Sequence, residues 1–558
     1  MQCLTLKKAN CRNCHKCIRH CPIKSIRFTG SQAHIISDDC ILCGHCFVVC
    51  PQDAKQIVSE VEKVKVLIQS GAPVIASIAP SFIANYNEIG IEGIRKALKK
   101  LGFTDAEETA VGATMVKKEY EKLALEGRHD ILITSCCTSV NLLIQKYYPD
   151  LLKYLAPVLT PMQAHCQDIK RRIPGARTVF IGPCVAKKEE AQSSPDLVDA
   201  VLTFEELTQW FKNEDIPMLQ DLDETVESRA RIFPTATGVI KTMDRPIRQK
   251  SQYSYIAIDG IENCIAALDD IRTGDISNCF IEMNSCSGSC IGGPVFEKYH
   301  KSPVLNYLSV VQYSGDLDFN IPEESCERLT KIFDDLSEEK DIPSEAQITD
   351  ILKQMSKINP EDELNCGTCG YETCREKAIA VYQGKAEVDM CLPYLMQKSE
   401  SFSNVVMNSM PNGLVVVNDQ LEIQQLNPAA MKMMNIRPTM DITGEQVVTI
   451  LDPDIFFDAL AKKRPINKTR YFAEYDKYFN LVAFYDEPTG MIFCMMRDIT
   501  HEAEEKAHRT NVIRQTSEIA DQVVDKQMRI VQEIASLLGE TAAETKIALT
   551  KLKDSINE

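Results

Sequence analysis

Cys11, Cys14, Cys17 and Cys21, with Pro22 behind them, spell C-x2-C-x2-C-x3-C-P, and Cys40, Cys43, Cys46 and Cys50, with Pro51 behind them, spell it again. In such a run three thiolates on a tight loop grip one face of a cubane, and the fourth reaches the neighbouring cluster. The spacing therefore predicts one 4Fe-4S cluster on Cys11, Cys14, Cys17 and Cys50 and a second on Cys40, Cys43, Cys46 and Cys21. A pair of zinc knuckles is the competing reading, and two identical proline-terminated runs are far more specific than the isolated C-x-x-C it requires. The chemistry on offer is one-electron transfer.

Other cysteines sit at the ends of apolar runs. "DILITSCC", "TVFIGPC" and "NCFIEMNSC" read as strands that deliver Cys137, Cys184 and Cys286, and Cys290 follows within "GSCIGGP". Ligands gather at the carboxyl ends of strands in open α/β sheets, so these ends can meet at one spot, and four thiolates suffice for a 4Fe-4S cluster. The glycines around Cys290 let backbone approach a bulky inorganic group. Cys136 adjoins Cys137, and neighbours in an extended chain point to opposite faces, so the two do not hold one metal in the same way. Farther on, Cys366, Cys369, Cys374 and Cys391 stand in C-x2-C-x4-C-x16-C order, a four-ligand site open to zinc or to an iron–sulfur cluster.

The elements that must hold these residues follow from periodicity. From about residue 70 apolar strands alternate with longer amphipathic stretches, the pattern of an α/β domain: "PVIASIAPS" (73–81) as a strand, "IEGIRKALKKLG" (91–102) and "ATMVKKEYEKLALEG" (113–127) as helices. "CREKAIAVYQG" reads as a helix leading toward Cys391. Residues 402–500 are β-rich: a helix, a strand, a turn at Asn418 and Asp419, a second strand, a short helix opened by "NPAA", and later strands in "RYFAEYDKYFNLVAFYD" and "TGMIFCMMRDIT". After Thr500 the chain turns helix-rich, and Ala520, Val524, Val531, Ile534, Leu538, Leu552 and Ile556 fall on a three-four repeat that Gln527, Thr541 and Thr545 interrupt. That pattern predicts a weak coiled coil, dimeric or completed by a partner helix; the alternative is a helix packed on the preceding domain. His508 reads as a surface residue.

Composition sets outer limits. A chain of 558 residues with 44% hydrophobic content is several folded domains. Its formal net charge of −17 disfavours nucleic acid and anionic membranes as partners. "MQCLTLKKANC" lacks the apolar core of a signal peptide, so a cytoplasmic protein is expected. In a reducing compartment the 23 cysteines stay free, and most are read as metal ligands instead of disulfides.

These residues carry family resemblances. The first sixty or so residues resemble a bacterial two-cluster ferredoxin. "TSCCTSVN", "IGPCVAKKEEA" and "EMNSCSGSCIGGP", in that order, resemble the three active-site signatures of the iron-only (FeFe) hydrogenases, and the likeness runs from residue 1 to about 345. It implies an H-cluster: a 4Fe-4S cube joined through one thiolate to a two-iron subcluster bearing carbon monoxide, cyanide and a dithiolate bridge. Cys137, Cys184, Cys286 and Cys290 would hold the cube, with Cys290 bridging. Lys187 would offer its ammonium to an iron-bound cyanide. Pro80 and Ser81 would pack on the diiron unit, and Cys136 would pass protons to and from the bridgehead amine. The segment around Cys366 to Cys391 resembles the small 4Fe-4S domain appended to several redox proteins, which favours a cluster over zinc there. Residues 402–500 resemble a PAS sensor domain ending in Asp498, Ile499 and Thr500. That stretch holds no histidine, which argues against a His-ligated haem, and Cys494 reads as a core residue.

Departures from the hydrogenase pattern are as informative. Gly182 and Asn284 stand where the family has methionines bordering the diiron unit, so packing and polarity around that cofactor should differ. Thr138 and Val140 replace the usual proline and tryptophan. Beyond Cys136 a Glu-Ser-Glu proton chain is expected; the best alignment puts Glu121 at the first Glu, Ala156 at the Ser and Lys118 at the second Glu. Alanine cannot relay a proton, although a water can substitute.

The expected architecture is multidomain α/β and α+β. It comprises a ferredoxin-like two-cluster module (1–60), an α/β H-cluster domain (70–345), a small Fe-S domain (346–398), an α+β PAS domain (399–500) and a coiled-coil signalling helix (501–558). The expected function is a hydrogen or redox sensor with slow, reversible hydrogen oxidation and proton reduction. Hydrogen and protons would be its substrates, a ferredoxin-like carrier its electron partner, a kinase or phosphatase its signalling partner, and the last helix the seat of a homodimer. One alternative is a catalytic ferredoxin-linked hydrogenase with a regulatory tail, supported by the retained Cys136. Another is a non-catalytic Fe-S scaffold carrying the cube alone, against which Lys187, Pro80 and Ser81 argue.

Overall fold

The computed structural model describes residues 3–86, 89–221, 228–299, 302–326, 328–437 and 442–556. They fall into two compact units, residues 1–395 and 396–558.

The first unit opens with loops pinned by two small antiparallel ladders. Its strands are β1 (Leu4–Leu6), β2 (Ile26–Thr29), β3 (Gln32–Ile35) and β4 (Lys55–Ile57); β1 pairs with β4 and β2 with β3. The cysteine runs lie in the loops between them. Each run contains a one-turn helix, Lys16–Arg19 or His45–Val48, entered from a left-handed residue, His15 (φ 53°) or Gly44 (φ 79°). The reversal turns the chain tightly within each run. A side chain at Gly44 would also meet the Pro294 ring at 2.4 Å, so glycine lets this loop touch the chain just beyond Cys290.

The next segment builds two parallel sheets. β5 (Val74–Ile78), β6 (Asp105–Glu108), β8 (Arg177–Gly182) and β9 (Ala200–Thr203) form one in the order β6-β5-β8-β9. β7 (Ile131–Ile133), β10 (Ser254–Asp259) and β11 (Cys279–Asn284) form the other in the order β10-β11-β7. Every residue of β5 and β7 is buried, which is why parallel strands read as unbroken apolar runs instead of alternating ones. The three cysteine-ending strands are therefore not all neighbours: β7 and β11 pair, whereas β8 belongs to the other sheet. The helices read over 91–102 and 113–127 form as Ile91–Lys100 and Ala110–Glu126, the second stopped by Gly127 at φ 59°.

The third cysteine segment follows with helices Glu345–Gln354 and Cys374–Tyr382. A Ser344/Gln347 capping box starts the first, and the Thr373 hydroxyl accepts from the Glu376 amide to start the second. One apolar core joins all three segments: Ile18, Phe28 and Phe47, then Ile131, Leu143 and Met283, then Tyr371, Ala380 and Met390. Each large side chain buried in it contributes ~1.5–3 kcal/mol.

The second unit is a five-stranded antiparallel sheet: β12 (Gly413–Val417), β13 (Ile423–Leu426), β14 (Ile466–Phe472), β15 (Lys477–Asp486) and β16 (Met491–Asp498), in the order β13-β12-β16-β15-β14. The "NPAA" start is visible as Asn427, whose side-chain oxygen accepts from Ala430 N (2.9 Å) and Leu414 N (2.8 Å). Cys494 is fully buried in this core. A single helix, Thr500–Ile556, ends the chain. Its residues 504–553, His508 included, are exposed in this unit, so the helix is not packed back on the sheet. Among the described residues no helix is long and apolar enough to cross a membrane.

Candidate cluster-binding sites

The carboxyl ends of strands from both parallel sheets meet in one cavity. β5 delivers Ala79, Pro80 and Ser81, β8 delivers Pro183 and Cys184, β7 delivers Cys136, and β11 delivers Asn284; Lys187 and Cys290 complete that wall. The cysteines expected to hold a cube lie together beside it. Burial raises the pKa of the Cys286 thiol, and the next contributors are the thiols of Cys137, Cys184 and Cys290. Cys290 in turn has Cys184, Cys137, Lys187 and Cys136 as electrostatic neighbours. Cys184 is pushed to about 11 by burial, then by Cys137. Free thiols so held must release their protons when they bind a metal cluster.

The donor set fits an H-cluster. Cys286 has the thiols of Cys137, Cys184 and Cys290 as electrostatic neighbours, and the Ser81 hydroxyl, buried in the adjoining cavity, has no hydrogen-bond partner among the described residues. An orphaned buried hydroxyl in a cavity wall is a donor waiting for an acceptor. The Lys187 ammonium uses its donors on the Cys136 carbonyl (3.3 Å) and the Glu190 carboxylate (2.7 Å), which leaves a third for the cavity. Glu190 is buried and also accepts from the hydroxyls of Thr138 and Thr160. Burial alone would raise its pKa, but Lys187 and Lys331 outweigh that and hold it below the ordinary carboxylate value.

Gly182 ends β8 next to the site, yet it has no free space in front of it. A Cβ there would lie 2.7 Å from the Phe180 ring and 3.1 Å from Ala79. Phe180 itself lines the cavity, so an aromatic ring from two residues back takes the room a longer residue at 182 would need. Asn284 also lines the cavity, its amide 3.4 Å from Glu282. Glu282 is fully buried, accepts from Ile240 N at 3.0 Å, and is pushed up to about 7 by burial.

The expected proton chain is not assembled as aligned. Cys136 contacts the phenol of Tyr120 (3.2 Å), which also accepts from Ser135 N (2.9 Å). Glu121 turns elsewhere on the same helix: its carboxylate accepts from Asp244 N (2.6 Å) and lies 3.5 Å from the Lys117 ammonium. Lys118 lies beside Cys326. Ala156 is buried and offers only its backbone, its N–H donating to Ile133 (2.8 Å). Burial pushes the Cys136 thiol up to about 12, with the Tyr120 hydrogen bond working against it.

Sequence reasoning missed Tyr120, Glu190, Phe180 and Glu282. Signals existed for three of them. Glu190 stands three residues after Lys187 on a helix, Phe180 two before Gly182 on a strand, and Glu282 is a lone acid within an apolar strand.

The amino-terminal cysteines gather in two sets. Cys21, Cys40, Cys43 and Cys46 line one cavity. Cys17 is pushed to about 11 by burial, and its thiol neighbours are Cys50, Cys11 and Cys14. Cys366, Cys369, Cys374 and Cys391 line another cavity together with Lys357, Lys377 and Tyr371.

Comparison with known proteins agrees in outline. Residues 72–294 match the family model for the C-terminal domain of the iron only hydrogenase large subunit; residues 10–54 match a 4Fe-4S dicluster domain, and residues 362–393 an Fe-S cluster model. The chain is 24% identical over 283 residues to iron hydrogenase 1 of Clostridium pasteurianum, a match covering 39% of this chain and 49% of that protein. It thus spans about half the length of that relative. It is 25% identical over 357 residues to the periplasmic [Fe] hydrogenase large subunit of Nitratidesulfovibrio vulgaris, covering 52% of this chain and 85% of that one. Among solved structures, a variant of an [FeFe]-hydrogenase from Chlamydomonas reinhardtii aligns at 15% identity and TM-score 0.40, over 50% of this chain and 100% of that one. Behind a segment that matches a 4Fe-4S dicluster domain, the chain carries a segment that matches the C-terminal domain of the iron only hydrogenase large subunit.

Proposed function

We propose that this protein is an FeFe-hydrogenase-like sensor of hydrogen or redox state, with slow reversible hydrogen oxidation and proton reduction. The observation that carries the reading is the pairing of four clustered thiols with a cavity whose wall holds the orphaned Ser81 hydroxyl and the Lys187 ammonium. Cys137, Cys184, Cys286 and Cys290 would hold the cube, and Pro80, Ser81, Gly182 and Asn284 would border the diiron unit. An H-cluster supplies the metal at which hydrogen is split or formed. Lys187 and Ser81 would orient it by donating to cyanide, and Phe180 and Met162, which line the same cavity, would keep water out of it. Cys136 holds a proton in the cavity wall.

Slowness follows from what surrounds that proton. The thiol is held protonated by burial, and its hydrogen-bond partner is a buried phenol instead of a carboxylate. Sensing is supported by the antiparallel sheet of residues 413–498, read as a PAS domain, and by the exposed helix after it, suited to a kinase, a phosphatase or a second copy. The test is infrared spectroscopy of the matured protein, followed by partner binding with and without hydrogen. Bands from iron-bound carbon monoxide and cyanide are expected, with binding that changes under hydrogen. Absence of those bands would leave only the Fe-S scaffold reading.

The second reading, a catalytic ferredoxin-linked hydrogenase with a regulatory tail, is favoured by Cys136 lining the cavity. Fast turnover that disappears in Cys136→Ala would establish it over the first.

A further inference from the structure

The third cysteine segment is docked on the amino-terminal module through its own ligand loop. Arg19 Nη2 donates to the Thr368 carbonyl (3.1 Å), and Lys24 Nζ to the Gly370 carbonyl (3.0 Å). Thr368 and Gly370 flank Cys369, and Arg19 and Lys24 flank Cys21. Gly370 is left-handed (φ 95°), and a Cβ on it would sit 3.0 Å from Ile18 and 3.1 Å from Arg19 N, so the two loops are in backbone contact. Tyr371 fills the space between the two ligand sets: it is buried, it lines the cavity of Cys366, Cys369, Cys374 and Cys391, and it shares an apolar core with Cys17 and Cys21.

That cavity also holds two buried cations. Lys377 is 1% exposed and Lys357 is 7% exposed. The Lys357 ammonium donates to the Asp362 carbonyl (2.6 Å), and that of Lys377 to the Glu387 carbonyl. Neutral acceptors satisfy hydrogen bonds but do not offset the cost of burying charge. Burial lowers the pKa of the Lys377 ammonium to about 8, and the thiols of Cys369 and Cys391, ahead of the carboxylates of Glu387 and Asp389, work against that loss of charge. The natural counter-charge for such a pair is an anionic cluster on the four cysteines. An added electron makes that cluster more negative, and cations in a low-dielectric wall favour the reduced form.

We propose that the Cys366–Cys391 site is an electron store branched off the amino-terminal module: electrons cross at the Cys369–Tyr371 contact with the Cys21 loop, and Lys357 and Lys377 make the store their preferred resting place. The inference rests on reading these four cysteines as 4Fe-4S ligands. The two electrons released when one hydrogen molecule is oxidised to two protons divide: one reduces this site and the other stays on the amino-terminal clusters.

The test needs no diiron unit, so it stands apart from the sensor reading. The full chain, reconstituted with iron and sulfide only, is titrated with dithionite while electron paramagnetic resonance follows each cluster. In the parent, one cluster should reduce before the others, and Cys374→Ser should remove or alter that signal alone. Lys377→Met should lower the ratio of reduced to oxidised store at fixed potential about tenfold, a shift of ~59 mV for one electron. Lys357→Met should act in the same direction, Lys377→Arg should restore the parental value, and the amino-terminal potentials should not move. Gly370→Val should slow filling of the store without changing its potential. Iron analysis of each variant confirms that its clusters are in place. Zinc at this site, or potentials indifferent to both lysines in fully loaded protein, would overturn the proposal.

Discussion

Lys187 is useful to a cofactor only if something keeps it charged and still, and Glu190 does both. The pair is 2.7 Å apart, with the carboxylate 1% exposed. Removing one partner of such a pair leaves an uncompensated buried charge, which costs about 3–5 kcal/mol. Glu190→Gln should therefore lower the unfolding free energy of the unit that holds it by that order, read from urea unfolding. The pH dependence has a definite sign. Lys187 and Lys331 depress the folded-state pKa of Glu190 below its ordinary 4.5, so its stabilisation is full above the unfolded value and is lost as pH falls through the folded one. Glutamine does not titrate. The gap between parent and variant should be widest near pH 7 and shrink below about pH 4.5. A gap that stays constant across that range would mean the ion pair is not its source.

At the scale of elements, the end of β8 explains how the cavity wall carries a glycine at 182 without leaving a hole. Phe180 and Gly182 share a face of the strand, and the ring of one covers the Cα of the other. Gly182→Met should overpack the site and cost ~1–3 kcal/mol. Phe180→Ala alone should cost ~3–5 kcal/mol. In the double variant the new side chain fills the vacated space, so its destabilisation in urea should fall well short of the sum. Strict additivity would mean that the ring and the new side chain do not compete.

The same strand shows which features were legible. Period-two alternation put Phe180 beside Gly182, but only the neighbouring strand, with Ala79 at its end, shows that the shared face looks into a cavity. The cysteine runs were legible because cubane chemistry restricts cysteine spacing within a loop. The split of the cysteine-ending strands between two sheets was not, because local periodicity carries no information about which strand pairs with which. The helix Ala110–Glu126 was visible, but its rotation against β7 was not, and that rotation decides whether Tyr120 or Glu121 faces Cys136.

For the whole molecule, the last helix poses the largest unsatisfied demand. Val524, Met528, Val531, Ile534 and Leu538 are each at least half exposed along Thr500–Ile556. They recur at three- and four-residue spacing, so they form one stripe, the geometry of a coiled-coil seam. An isolated helix gains little from propensity and draws most of its stability from burying such a face. A second copy of the same helix meets that need with no other component, whereas Gln527, Thr541 and Thr545 on the seam keep the pairing weak. The full chain should therefore sediment as a monomer–dimer mixture that shifts with concentration, and a chain ending at Thr500 should stay monomeric. Val531→Lys should act like the truncation while leaving the circular dichroism of the sheet unchanged, because a lysine on the seam opposes its own copy across the axis. If the truncated chain dimerises as the full one does, the seam is not what pairs the molecules. If the full chain is monomeric at every concentration, the stripe belongs to a different partner and self-association is not its role.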